Sequence, residues 1–483
     1  MFARQTQKLG ILALSLALAA GAGCGSDSDS TTDPANDVVQ DTSKKDAQSN
    51  DQADPDWAAD TMEPDSETPF VPVEPHVEEA DPYTIVWLAG TPYEMGKQHG
   101  ELLHDVVGDA MDFVKADPMM SKIPQMAEAM GIIKLAKENS YDDLLEECQG
   151  LVDATSDVGF SMEYCLALNF GDVMLEFIEV GMPGQEFPAP GCSGVIARDD
   201  ATPDGILRHT RNLDWGSMDI SIIHQHPVIF VRQPEGGIPH VYVGFPLNLS
   251  PYTGMNMAGI SVGSHEAEPL SKAQLSKKGR SHVQMVGQIL KNSKSLVEAE
   301  AFLRSQQHMS TEMLVVADGP NNDGAVFEMT GQAMEARRLE NNVVWATNHF
   351  THPDMTALHQ PPGTGSFMRF QRFSQLVPPD GKDSIWGELD QAGLARVMRD
   401  RVDSSTGELI SDEELEAMDW DNDIGIGSNG PMHFVVFEPE NHLFWVAAGK
   451  LPIHRQPYRC FSLAQLLGID GKECPGDIAP END

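Results

Sequence analysis

The first eighty residues differ from the rest of the chain in their distribution of apolar side chains. Arg4 and Lys8 precede an apolar run from Ile11 to Ala20, which is too short to span a bilayer. The acidic and polar stretch that follows has few large apolar side chains and cannot bury enough surface to fold. We therefore expect an export signal over residues 1–23 and a solvated tether over residues 24–80.

The folded part is predicted to begin with a strand and several helices. Residues 83–90, YTIVWLAG, form an apolar run typical of a buried strand. A helix is expected directly after it, because Pro92 follows the Thr91 cap and Glu94 stands three residues beyond that cap. Two more helical patterns cover residues 121–139 and 161–181. Residues 81–191 are thus predicted to be a mostly helical segment.

After residue 192 the pattern changes to short apolar strands separated by turn clusters. The expected elements are strands at 193–200, 205–215, 227–233, 240–246 and 258–263, helices at 281–293 and 295–306, strands at 311–318, 324–330, 333–340 and 341–348, helices at 365–377 and 384–401, and a hairpin at 432–449. This order of strands, helices and strands predicts an α+β fold, in which antiparallel sheets carry helices on the outside in a layered αββα design.

Charge excludes one class of function. The 483 residues carry a formal net charge of −42, and 16 Asp and Glu against two Lys fall between Gly25 and Glu79. Because the remainder is also acidic, the surface repels nucleic acid, and no nucleic-acid partner is expected.

The end of the export signal resembles the lipobox of bacterial lipoproteins. Ala22 and Gly23 precede Cys24, although Gly21 stands where Leu is usual. The resemblance implies a lipid on Cys24 and a protein anchored in the bacterial cell envelope, and Gly25 after the cysteine favours the outer membrane. Ordinary secretion with an incidental cysteine is the alternative.

Five further cysteines remain in the exported chain, where oxidation allows disulfides. An odd number leaves one thiol for chemistry, and Cys192 is the candidate. The local pairings of the other four are Cys148 with Cys165 and Cys460 with Cys474, while other pairings stay open.

Cys192 lies between a loop rich in proline and glycine and an apolar strand. If its thiol attacked the carbonyl of Gly191, an acyl shift and hydrolysis would cut the chain there. Cys192 would then carry both a nucleophile and a base, since an α-amine has a pKa of about 7.7–8.0. This division predicts a propeptide or α-chain over 81–191 and a catalytic β-chain over 192–483.

Two charged residues are expected beside this new terminus. Arg211 and Asp214 follow Cys192 by 19 and 22 residues, a spacing that suits a hairpin with its turn at residues 200–205. Asp214 is predicted to hold the α-ammonium group, and Arg211 to stabilise a thiolate or an oxyanion. An ordinary local ion pair on a strand is the alternative.

Four motifs, in order, resemble those of the cysteine hydrolases with an N-terminal nucleophile (Ntn). They are GCS with RNLDW, LAGTPYEMGKQHGELL at 88–103, WATNHF at 345–350 and GSFMRFQRF at 365–373. The closest branch is acyl-CoA:6-aminopenicillanic acid acyltransferase, peptidase family C45, which is related to acid ceramidase, N-acylethanolamine amidase and choloylglycine hydrolase. The resemblance implies the Ntn αββα sandwich.

The resemblance also implies roles for single residues. Cys192 is the nucleophile and cleavage site, and Asn348 donates to the oxyanion. Arg369 is the late arginine of the family, with Arg372 as second choice. Asn256 is a weaker candidate near the site. Ser193 stands where the family often has Thr, and no cofactor is implied.

The expected activity is cleavage of a linear amide in a small N-acyl compound through an acyl-thioester on Cys192, with hydrolysis favoured over acyl transfer. Two alternatives are a serine esterase that uses Ser261 in the G-x-S-x-G match GISVG, and a non-catalytic surface lipoprotein with an inactive Ntn fold. The His224–His226 pair and the acidic stretch 419–425 lack a complete metal motif, so no metal is predicted.

Overall fold

The computed structural model describes residues 70–480 except 119, 171–172, 174–175, 178–190, 215–224, 418–423 and 428–429. The predicted export signal, Cys24 and the tether up to residue 69 lie outside the described residues. So do His224 of the histidine pair and most of the acidic stretch 419–425.

Fifteen strands and twelve α-helices are found in the described part of the chain. The strands are β1 His76–Ala80, β2 Tyr83–Gly90, β3 Cys192–Asp199, β4 Gly205–Asp214, β5 Val228–Pro234, β6 His240–Gly244, β7 Thr253–Asn256, β8 Ile260–Glu266, β9 Glu312–Asp318, β10 Asp323–Met329, β11 Met334–Arg338, β12 Val343–Ala346, β13 Pro431–Glu438, β14 Leu443–Ala448 and β15 Arg459–Ser462. The helices are α1 Pro92–Leu102, α2 His104–Ala116, α3 Ile123–Ala129, α4 Ile132–Asn139, α5 Asp142–Thr155, α6 Met162–Asn169, α7 His282–Asn292, α8 Leu296–Ser305, α9 Thr364–Leu376, α10 Gln391–Met398, α11 Asp412–Ala417 and α12 Leu463–Leu466.

Two sheets pack face to face between layers of helices. Sheet one has the order β1-β2-β5-β6-β7-β8-β9-β10-β11, and sheet two has the order β12-β3-β4-β13-β14-β15. One inter-sheet cluster joins β3 and β4 to β9 and β10, and another joins β2 and β5 to β13 and β14. Helices α1, α2 and α5 cover the outer face of sheet one, α7 and α8 cover it further along, and α9 and α10 cover sheet two. The predicted α+β class and the αββα layers are confirmed, and β2 with β5 is a parallel pair among antiparallel ones.

The segment before residue 192 is part of sheet one. Strand β2 pairs with β5 over seven residues, from Thr84 opposite Val228 to Gly90 opposite Pro234. Strand β1 pairs with β2, although sequence analysis assigned residues 76–80 to the tether. The correction has a simple reason: β1 is a half-exposed edge strand, so its polar sequence HVEEA carries no apolar signal.

The first helix begins as predicted, with a complete capping box between Thr91 and Glu94. Gly96 of the motif GKQHG and Gly150 of α5 lie where these two helices meet. A Cβ on Gly96 would lie 2.0 Å from the carbonyl oxygen of Glu147 in α5, and one on Gly150 would lie 2.1 Å from that of Tyr93. These glycines let α1 and α5 pack in backbone contact, so this motif serves packing.

Both disulfides of the structure are the local pairs, Cys148–Cys165 and Cys460–Cys474, and the buried Cys192 belongs to neither. One bridge lies before Gly191 and the other lies after it. Within the described ranges, none of the helices has both the length and the apolar character needed to cross a membrane.

Candidate active site

Cys192 is the first residue of β3, the second strand of sheet two, which pairs with the edge strand β12 and with β4. Its side chain is 3% exposed. It belongs to a small apolar cluster with Leu213, Phe245, Tyr252, Val283 and Met432. The thiol is therefore held in an apolar environment at the end of a rigid strand.

A buried guanidinium faces this thiol. Nη2 of Arg211 lies 3.4 Å from Sγ of Cys192 and donates to the carbonyl oxygen of Ser264 at 2.6 Å, while Nη1 donates to Oγ1 of Thr253 at 2.6 Å. A Cβ on Gly263 would lie 3.0 Å from the Arg211 side chain, so this glycine makes room for it. A fixed positive charge next to a thiol favours the thiolate.

Asp214 lies against the residue before the nucleophile. Its backbone N–H donates to the carbonyl oxygen of Gly191 at 2.7 Å, and its carboxylate accepts from Nδ2 of Asn212 at 3.1 Å. A Cβ on Gly191 would lie 2.8 Å from Oδ2 of Asp214, so only glycine fits there. Arg211 and Asp214 are three positions apart on β4 and point to opposite faces, which disfavours the simple ion pair.

Asn348 and Arg369 hold the backbone of Cys192. Oδ1 of Asn348 accepts from the Cys192 nitrogen at 2.7 Å and from Nη2 of Arg369 at 2.9 Å, and its Nδ2 donates to the carbonyl oxygen of Glu266 at 3.0 Å. Nη1 of Arg369 donates to the Cys192 carbonyl and to Oγ of Ser193, both at 2.7 Å. Asn348 thus accepts a bond from the backbone N–H of Cys192, whereas the resemblance implied a donor to the oxyanion.

Two other candidates lie away from the thiol. Arg372 forms ion pairs with Asp383 and Asp400, so Arg369 is the arginine of α9 that reaches the site. Asn256 accepts from two backbone N–H groups of the β7–β8 turn and donates to the carbonyls of Leu290 and Ser293 at the end of α7. Its amide fixes this turn, and a role for it in the site stays a prediction.

The G-x-S-x-G match is part of strand β8. Ser261 is fully buried, and its Oγ lies 2.9 Å from Nδ1 of His209. A nucleophile elbow requires a helix directly after the serine, whereas β8 continues to Glu266 and the next α-helix begins at His282. The last glycine of the match is Gly263, which makes room for Arg211.

Sequence reasoning missed Thr253, Ser264 and Ser193, which orient the two arginines of the site. Each is a small hydroxyl residue in a strand, a pattern with no chemical signature. Their roles follow only from the packing of β7 and β8 in sheet one against β3 in sheet two. In the described part of the chain, no group of three or more His, Cys, Asp or Glu side chains is arranged to hold a metal ion.

Several buried histidines lie in and around the core. Burial is the main cause of their lowered pKa, and nearby Arg211 or Arg232 adds to it at five of them. The pKa is lowered to about 3 for His99, His209, His240 and His349, and well below the usual value for His265 and His433. These side chains are neutral at any pH near 7.

The buried histidines predict loss of stability in acid. An unfolded histidine gains a proton below about pH 6.5, while the folded one stays neutral. Stability is therefore full above that pH and falls below it, by about 1.4 kcal/mol per pH unit for each such histidine. Thermal unfolding followed by circular dichroism should show a constant melting temperature above pH 7 and a steep fall between pH 6 and pH 4. A melting temperature that stays level over that interval would contradict these pKa directions.

Comparison with known proteins agrees with the motifs. Residues 210–406 match the family model described as acyl-coenzyme A:6-aminopenicillanic acid acyl-transferase. Over this stretch the chain is similar to this acyl-transferase family. The matched region includes Arg211, Asp214, Asn348 and Arg369 and begins after Cys192. The recognition of an Ntn-type hydrolase or acyltransferase from the sequence is thus confirmed.

Individual relatives are distant. An uncharacterized protein of Archaeoglobus fulgidus is 25% identical over 443 residues, which cover 82% of this chain and 69% of the relative. An N-acylethanolamine-hydrolyzing acid amidase ortholog of Caenorhabditis elegans is 17% identical, with 52% of this chain and 93% of that chain covered and a TM-score of 0.35. A conjugated bile acid hydrolase of Clostridium perfringens is 13% identical, with 60% and 99% covered and a TM-score of 0.33.

Proposed function

We propose that the protein is a self-cleaving cysteine amidohydrolase that cuts before Cys192 and then hydrolyses linear amides of N-acyl compounds. The arrangement of charges around one buried thiol carries the proposal. Arg211 faces Sγ, and Asn348 and Arg369 hold the nitrogen and the carbonyl of the same residue.

Self-cleavage requires attack of Cys192 Sγ on the carbonyl carbon of Gly191. The Asp214 N–H already donates to that carbonyl oxygen and would stabilise the negative charge that develops there. The C–N bond then breaks, the nitrogen of Cys192 takes the thiol proton, and a thioester remains. Water hydrolyses the thioester, which leaves a carboxylate on Gly191, a thiol on Cys192 and a free α-amine.

The mature site works with the same atoms. The α-amine takes the thiol proton, and the thiolate attacks the carbonyl carbon of the substrate amide. When the C–N bond breaks, the proton passes from the α-ammonium to the leaving amine. Water then attacks the acyl-thioester, its proton goes to the α-amine and on to Sγ, and the acid is released.

The surroundings of the thiol favour an apolar acyl group. The cluster around Cys192 is built from leucine, valine, methionine and two aromatic rings. Such a lining binds hydrocarbon and excludes charged groups. Hydrolysis is favoured over transfer outside the cell, because water is abundant there and acyl-CoA is not.

The proposal places the enzyme on the outside of the cell membrane, in the bacterial envelope. It rests on the sequence of the export signal and on Cys24 as the lipid-carrying residue. The two disulfides agree with an oxidising compartment.

A chromogenic N-acyl anilide tests the reaction. We expect a rapid burst of aniline, close to one molecule per enzyme, followed by slower turnover when deacylation limits the rate. Acid quenching during turnover should leave one acyl group on the fragment that begins at Cys192, as measured by mass spectrometry.

The alternatives give different results in the same experiment. A serine esterase would lose activity in Ser261→Ala and survive alkylation of Cys192 by iodoacetamide. A non-catalytic lipoprotein would release no aniline from any acyl anilide.

A further inference from the structure

The loop that carries Asn348 is anchored at both ends by one ion pair of sheet one. We call residues 345–352, which run from the last two residues of β12 toward α9, the Asn348 loop. Glu328 on β10 and Arg337 on β11 form an ion pair with Oε1 and Nε 2.6 Å apart, and Glu328 is fully buried. Neither residue contacts the thiol, and neither belongs to a motif that the sequence singles out.

Each partner of this pair holds one end of the loop. Nη1 of Arg337 donates to the carbonyl oxygen of Trp345 at 3.0 Å. The carboxylate of Glu328 accepts from the backbone N–H of Thr351 at 2.9 Å and from that of His352 at 3.1 Å. Asn348 stands midway between the two anchored ends.

The middle of the loop is held by the first turn of α9. Oγ of Ser366 accepts from the backbone N–H of Asn348 at 2.9 Å and lies 2.8 Å from Nδ1 of His349. Ser366 and Arg369 belong to the same helix, so α9 fixes the loop from the side of sheet two. The Glu328–Arg337 pair fixes it from sheet one.

From these contacts we infer that Glu328 and Arg337 are positioning residues, which set the place of Asn348 relative to the α-amine of Cys192. The inference rests on the proposed function. The Asn348–Cys192 bond is 2.7 Å long, and a displacement of about 1 Å would break it. The α-amine would then lose the acceptor that orients it toward the thiol.

Glu328→Gln tests the inference by kinetics. The neutral amide has one accepting oxygen in place of two, so it weakens the bonds to the two N–H groups, and it leaves Arg337 without a counter-charge. We expect kcat for an N-acyl anilide to fall about tenfold to a hundredfold, with KM changed less than twofold. Rates are expressed per cleaved enzyme, counted from the amount of the fragment that begins at Cys192. Arg337→Lys keeps the charge and loses the Trp345 bond. Its loss of kcat and its fall in melting temperature should both be smaller than those of Glu328→Gln.

Glu147→Gln is the matched control. Glu147 is a buried carboxylate 2.7 Å from Arg232 and joins α5 to β5, which is five strands away from β10 in the order of sheet one. We expect a comparable fall in melting temperature and an unchanged kcat. Equal kcat losses in both variants, or wild-type kcat in folded Glu328→Gln and Arg337→Lys, would overturn the inference.

Hydrogen exchange separates this inference from the proposed function. The amides of residues 345–352 should exchange faster in Glu328→Gln than in the wild type and be unchanged in Glu147→Gln. If the wild type hydrolyses no amide, the proposed function fails, and the exchange result still decides whether the pair fixes the loop. Unchanged exchange in Glu328→Gln would overturn it.

Discussion

Cys192→Ala is expected to leave the chain uncut and to reduce amide hydrolysis to the background rate. Alanine removes the only atom that can attack Gly191 in self-cleavage, and it removes the attacking atom of the acyl transfer. The fold should survive, because the side chain is small and both disulfides involve other cysteines. The measurement is aniline release, together with gel analysis and the melting temperature.

Ser261→Ala is the control for this experiment. Like Cys192→Ala, it removes one small buried polar group from a strand, in this case the hydroxyl that contacts His209. We expect it to be cut and active. The account of the nucleophile is wrong if Cys192→Ala hydrolyses amides as fast as the wild type.

Arg211→Gln is expected to lower kcat/KM by about 10²–10³-fold. The guanidinium is fully buried, so its charge acts on the thiol through a medium of low dielectric constant. Without it, the pKa of the Cys192 thiol should rise, because burial disfavours the charged thiolate and the positive charge that offset this effect is gone. The measurement is the rate of iodoacetamide alkylation of Cys192 as a function of pH, together with steady-state kinetics.

Arg208→Gln provides the matched comparison. Arg208 is on the same strand, is 3% exposed and pairs with Glu438 at 2.7 Å on the opposite face of β4. Its loss should reduce stability and leave the pH dependence of alkylation unchanged. An unchanged alkylation profile in Arg211→Gln would show that the guanidinium does not stabilise the thiolate.

Much of the fold could be predicted because its signals are local. The β2 strand and the Thr91 cap of α1 are written in adjacent residues, and so is the β13–β14 hairpin around residues 439–441. Helix α5 was missed, although its apolar positions are periodic. Strand β1 was missed because an edge strand with polar side chains is defined by its partner alone.

The site shows the same division. The proximity of Cys192, Arg211 and Asp214 could be predicted from one hairpin, because both strands are close in sequence. The orientation of Asn348 could not, since it depends on donors from Cys192 and Arg369, which are 156 and 21 residues away. Asn256 shows the limit of a motif, because its amide holds the β7–β8 turn and the end of α7, and the sequence pattern reveals neither contact.

Self-cleavage before Cys192 is the central claim, and the intact mass of the purified full-length protein tests it most directly. The spectrum should be taken under denaturing conditions. No reductant is needed, because neither disulfide links the part before Gly191 to the part after it. The account predicts two fragments, the second beginning at Cys192, and a single chain for Cys192→Ala. A wild-type protein that remains one uncut chain after prolonged incubation would contradict it.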